Sequence, residues 1–143
     1  MHLACGAPTT CGRAHYLLLV PRSVIVVSKD PDLFASLRAS LLSDSRFLDA
    51  DTGVHCDGSV APLTNIYPVE MTPAEWNGWQ PVDGEMPDPE SMSTLVFECR
   101  SAAWVAEVGA LLAEGLKSQV WFVDSTDTAW PADRVDPQQI VLA

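Results

Sequence analysis

Positive charge is scarce in this chain. Eight Lys and Arg stand against nineteen Asp and Glu among 143 residues, a formal net charge of -11. A field of that sign repels phosphate, which argues against a nucleic-acid or anionic-membrane surface as partner. Histidine is scarce too: His2 and His15 fall within the first 22 residues, so a histidine acting as general base would almost have to be His55. Its neighbour Cys56 is no thiolate partner for it, because adjacent residues on a strand point to opposite faces. No glycine-rich phosphate loop is present. The four cysteines, Cys5, Cys11, Cys56 and Cys99, make neither a CxxC pair nor a framework spacing, and Cys5, Cys11, His2 and His15 match no zinc pattern. Cys99 sits in an apolar run and reads as a small core hydrophobe. The apolar run Tyr16–Val20 is too short for a signal-peptide core, so the reading is a reduced, cytoplasmic protein with no cofactor and no metal.

What remains is an acidic chain with enough apolar residues, 48%, to bury a core. Residues 1–22 contain no acid, two arginines and two of the three histidines, and read as a leader or extension ahead of a single domain over 23–143. The run Tyr16–Val20 is placed to add an edge strand. SVIVVS, from Ser23 to Ser28, is a β-branched run of the kind buried on both faces of a sheet. Asp30 as N-cap and Pro31 at the first position then open a helix marked by Leu33, Phe34, Leu37, Leu41 and Leu42. Short strands are expected around Val54 and Ile66, and Thr72–Glu75 has the form of a capping box. A proline-rich acidic surface loop follows Trp79.

The most legible stretch runs from Thr94 to Asp133. It reads as a strand over Leu95–Cys99, a helix capped by Ser101 whose apolar face carries Trp104, Val105, Val108, Leu111, Leu112 and Leu116, and a hairpin. The hairpin takes strand Val120–Val123, turn Asp124–Asp127 and return strand Thr128–Trp130, with Trp121 and Trp130 expected to face one another in register or nearly so across it. Two strand-helix units with further strands between and after them predict an α/β domain of the α+β kind. Its sheet is mixed or mainly antiparallel with two helices on one face, a ferredoxin-like frame with an added C-terminal hairpin.

The opening VIVVSKDPDLFASLRASLL resembles the start of response-regulator receiver domains over about twenty residues. The likeness stops there: Lys29-Asp30 stands where an acidic pair belongs, and Asp57 comes too early for the phosphoacceptor. Asp83–Glu90 has the wrong spacing for a calcium loop.

Two features point to recognition of a protein rather than to chemistry. Asp44–Glu90 carries ten acids against one base, Arg46, and five tryptophans are present. Aromatic anchors ringed by carboxylates suit a basic partner, the rings supplying contact area and the acids supplying attraction and orientation. The expected interface residues are Trp76, Trp79, Asp83, Glu85, Asp88 and Glu90, then Asp124, Asp127 and Trp130 on the hairpin. VWFVDSTDTAWPAD followed by RVDPQQI resembles, over about the last fifty residues, the small acidic bacterial immunity proteins of polymorphic toxin systems. That resemblance implies a non-enzymatic, antitoxin-like inhibitor covering a basic, toxin-like protein. Two rival readings stay open: a small-molecule-binding or enzymatic domain with its pocket under the acidic loop, and a structural homodimer subunit.

Overall fold

The computed structural model describes residues 22–71 and 78–143. Its elements in chain order are β1 (Ser23–Ser28), α1 (Leu33–Leu42), β2 (Leu48–Ala50), β3 (Gly53–Cys56), β4 (Thr64–Pro68), β5 (Gln80–Pro81), β6 (Ser93–Cys99), α2 (Ala102–Gly115), β7 (Val120–Val123) and β8 (Thr128–Pro131). Short 3-10 turns lie at Pro89–Ser91 and Ala132–Arg134. The eight strands form one sheet in the order β2-β3-β4-β6-β1-β7-β8-β5. Every pairing is antiparallel except β5 on β8, which is parallel. The inner order β4-β6-β1-β7, with a helix after β1 and another after β6, is that of a ferredoxin-like frame. The hairpin β2–β3 extends one edge of this frame, while β8 and β5 extend the other.

Alternation along the strands divides the apolar residues between two faces. Val24, Val26, Leu95, Phe97, Val120 and Phe122 meet Leu33, Leu37 and Leu41 of α1 and Trp104, Val105, Val108 and Leu112 of α2. Val27, Trp121, Val123 and Ala129 face the other way, away from α1 and α2, and pack with Met92, Met86 and Trp79. Trp121 and Trp130 therefore sit on opposite faces. Trp121 opposes Pro131 and Trp130 opposes Phe122, so the two tryptophans are offset by one residue and do not face one another as expected.

Local chemistry explains most boundaries. The Ser101 side chain caps α2 by accepting from Trp104 N at 3.2 Å. Helix α1 begins two residues later than the proline placement suggests: its N-cap is Asp32 with no side-chain cap. Asp30 instead accepts from Asp32 N and from Ser36 Oγ, both at 2.8 Å, closing the turn ahead of the helix. Just ahead of β1, the Arg22 carbonyl accepts from Cys99 N at 2.7 Å. At the other end Gln139 and Ile140 donate to Asp136 O in a single helical turn, Ile140 is buried, and Ala143 O accepts from Ser23 N at 3.2 Å. The Tyr16–Val20 strand, the His2, Cys5, Cys11 and His15 group and the Thr72–Glu75 box lie outside the described residues.

Trp104 ties three elements together. Its indole donates to Thr64 Oγ1 at 2.7 Å, its ring stacks on Phe47 at 5.7 Å, and the Arg46 guanidinium lies 4.9 Å above it. Arg46 also pairs with Asp44 at 2.8 Å and Glu107 at 2.7 Å, and its hydrogen bonds to Asp44 lower that carboxyl's pKa to about 2. The packing of α2 depends on Gly109, where a Cβ would stand 2.1 Å from Ala132 O and 3.3 Å from Phe122. Gly109→Ala gains helix propensity of about 1 kcal/mol, but a backbone carbonyl has to move to admit the methyl. The expected net result is a loss of about 1–3 kcal/mol, read as a lower urea midpoint at constant slope. An unchanged or raised midpoint would show that the contact is slack.

Candidate functional site

The proline-rich acidic loop is bound down along its length. Gln80 N donates to Asp127 O and Val82 N to Ala129 O, both at 2.9 Å, so β5 lays the loop's start along β8. The Arg134 guanidinium pairs with Asp83. Met86 and Met92 pack into the second-face cluster, and Asp88 caps the 3-10 turn by accepting from Glu90 N at 3.1 Å. Under the loop, Glu85, Met86 and Pro87 join Lys29, Ser118, Gln119 and Trp121 around a cavity of about 530 Å³.

The nine residues expected to meet a partner are thereby sorted. Asp83, Glu85, Asp88, Glu90 and Asp127 are exposed. The β5–β8 pairing brings the loop's start to the hairpin turn, so two acidic segments far apart in the chain share one sheet edge. Trp79 is half-buried and packs on the second-face cluster as an anchor for the loop. Trp130 and Asp124 are turned inward, 6% and 5% exposed, and offer a partner almost nothing. Trp76 lies outside the described residues.

Asp124 is the node that shapes this edge. Its Oδ1 accepts from Thr126 N at 2.9 Å, Thr126 Oγ1 at 2.7 Å and Thr128 N at 3.2 Å. Its Oδ2 accepts from Trp130 Nε1 and Val141 N, both at 3.1 Å. The carboxylate thus holds the turn, the return strand and the C-terminal tail together. Burial pushes its pKa up, but the hydrogen bonds from Thr126, Trp130 and Val141 outweigh that and leave the carboxyl below its usual range. Asp127 closes the turn at φ 61°, a left-handed conformation that Asp tolerates better than most residues.

A second constellation, not expected from the sequence, lies at the end of strands β3, β4 and β6. A cavity of about 740 Å³ is lined there by residues from both sheet faces. Cys56, Thr64 and Cys99 are consecutive partners across the three strands on the helix side, and His55, Asn65 and Glu98 are consecutive partners on the other. Pro62 and Leu63 supply an apolar wall, Leu63 being 71% exposed. Tyr67 Oη donates to Glu98 Oε2 at 2.7 Å and Asn65 Nδ2 to Glu98 Oε1 at 3.4 Å. Burial, with the Glu98 hydrogen bond, pushes the Tyr67 hydroxyl up to about 12, so it remains a donor at neutral pH. Burial also raises the pKa of both thiols, which keeps them protonated and poor nucleophiles. His55 and Cys56 do take opposite faces, yet both reach this cavity because it lies at the strand ends. The sequence signal was a period-two one, Asn65 with Tyr67 and Glu98 with Arg100, but nothing in one dimension aligns the three strands.

Among the described residues no group of three or more His, Cys, Asp or Glu is placed to hold a metal ion, and no helix is long and apolar enough to cross a membrane. Comparison with protein-family models, curated proteins and solved structures returns no match.

Asp124→Asn replaces an acceptor-only group by one whose amide hydrogens meet donors. Loss of charge-assisted hydrogen bonds in a buried site predicts about 2–4 kcal/mol of destabilisation by denaturant titration. The pH dependence has a definite sign. A carboxyl whose folded pKa lies below the unfolded value of about 3.9 contributes its full stability above that value and loses it as pH falls through the folded pKa. The native protein should therefore lose stability progressively below about pH 4, and the Asn variant should lose less over the same interval. Equal slopes for the two proteins would remove Asp124 from that account.

Proposed function

We propose that this domain is a non-enzymatic binding protein that presents a pre-arranged acidic edge to a basic partner protein, in the manner of an immunity-like or antitoxin-like inhibitor. The observation that carries the reading is the β5–β8 pairing, which joins the loop carrying Asp83, Glu85, Asp88 and Glu90 to the hairpin turn at Asp127. Pinning the loop by Met86, Met92 and Trp79 removes conformational freedom that would otherwise be lost on association. Exposed carboxylates on a chain of net charge -11 attract a basic surface over a range set by ionic strength. Val82, 49% exposed and next to Asp83, adds apolar area at the same edge.

The partner to try first is a basic protein encoded beside this chain, co-expressed and co-purified with it. The reading expects a complex whose affinity falls at least about tenfold between 50 and 300 mM salt, as an association dominated by complementary charge does. It also expects the variant D83N/E85Q/D88N/E90Q to bind at least about tenfold more weakly, mainly through a slower on-rate, while melting within a few degrees of the native chain. A salt-independent complex that the quadruple variant leaves intact would refute the electrostatic reading.

A further inference from the structure

We infer that the cavity at the ends of β3, β4 and β6 is a binding site for a small organic cation, a primary amine carrying an apolar body. This does not rest on the acidic edge, which lies at the opposite border of the sheet. At about 740 Å³ the space lies within the range of small-molecule sites, and its walls divide by chemistry as such sites do. Pro62, Leu63 and the protonated thiols of Cys56 and Cys99 make an apolar side. His55, Asn65 and Glu98, cross-strand neighbours in one row, make a polar one.

The polar row is rich in acceptors. Glu98 is a carboxylate held in place by Tyr67 and Asn65. With its Nδ2 donating to Glu98, Asn65 keeps its amide oxygen available as an acceptor. An ammonium has three N–H donors and no acceptor, which matches an amide oxygen and a carboxylate. Arg100, which also lines the cavity, is itself engaged in an interaction of its own. The N-terminus of α2 at Ser101 favours an anion instead, but its capping position is already taken by the Ser101 hydroxyl, and the field of the whole chain favours cations.

The test is a titration of the isotopically labelled full chain with benzylamine, benzyl alcohol and benzoate, followed by backbone amide resonances at neutral pH. Benzylamine should give saturable shifts centred on His55, Asn65 and Glu98, and benzyl alcohol should bind at least about tenfold more weakly for want of the charge-assisted hydrogen bonds. Benzoate should leave these resonances unmoved. Glu98→Gln, which keeps a partner for Tyr67, should weaken benzylamine at least about tenfold, and Leu63→Ala, at an exposed wall position, severalfold. Leu63→Ala and the benzyl alcohol comparison decide the matter if the Glu98 variant does not fold. Benzoate binding as tightly as benzylamine, benzylamine affinity unchanged in both variants, or no saturable shift at all would each overturn the assignment.

Discussion

A sheet whose middle strands are apolar on both faces has to be covered twice, and the two α-helices among the described residues cover only one of those faces. Both lie on the same side, against Val24, Val26, Phe97 and Phe122. Neither of them reaches Val27, Trp121, Val123 and Ala129 on the other side. Each large side chain left there would forgo about 1.5–3 kcal/mol of burial. The proline-rich loop answers that demand with Met86, Met92 and Trp79. Its position, the parallel β5–β8 pairing and the exposure of its carboxylates all follow, because the apolar residues turn inward and leave the acids outside.

This double burial is also what made the chain only partly legible. Strong local signals came through: SVIVVS as a central strand, the Ser101 cap, the apolar stripe of α2 and the Asp124–Asp127 turn all appear where periodicity and turn chemistry put them. The acidic loop read as free surface because its anchors are two methionines and a tryptophan scattered among prolines and acids, with no period to mark them. The edge strand β2 spans only three residues and shows no apolar alternation. That Trp121 and Trp130 do not face one another was not legible because a turn whose carboxylate collects donors from both arms does not announce how many residues it consumes, and a single step moves Trp130 to the opposite face.

The same distinction separates the two candidate sites. The acids of the loop were visible as composition, and the structure adds only that they share an edge with Asp127. The cavity was invisible, since His55, Asn65 and Glu98 come together only once three strands are paired in one register. In the cavity the two thiols are held protonated by burial, and at the edge Asp124, the most heavily hydrogen-bonded carboxylate among the described residues, is committed to holding three segments of chain.

The hydrogen bond between Ser23 N and Ala143 O makes the fold nearly a closed ring. The beginning of the central strand and the end of the described chain are neighbours, so a few residues of linker would join them at little entropic cost. New ends opened in the exposed segment between β3 and β4, at Gly58 or Ser59, would leave every strand pairing of the sheet in place. The order in which the strands are read along the chain is thus separable from the architecture they build.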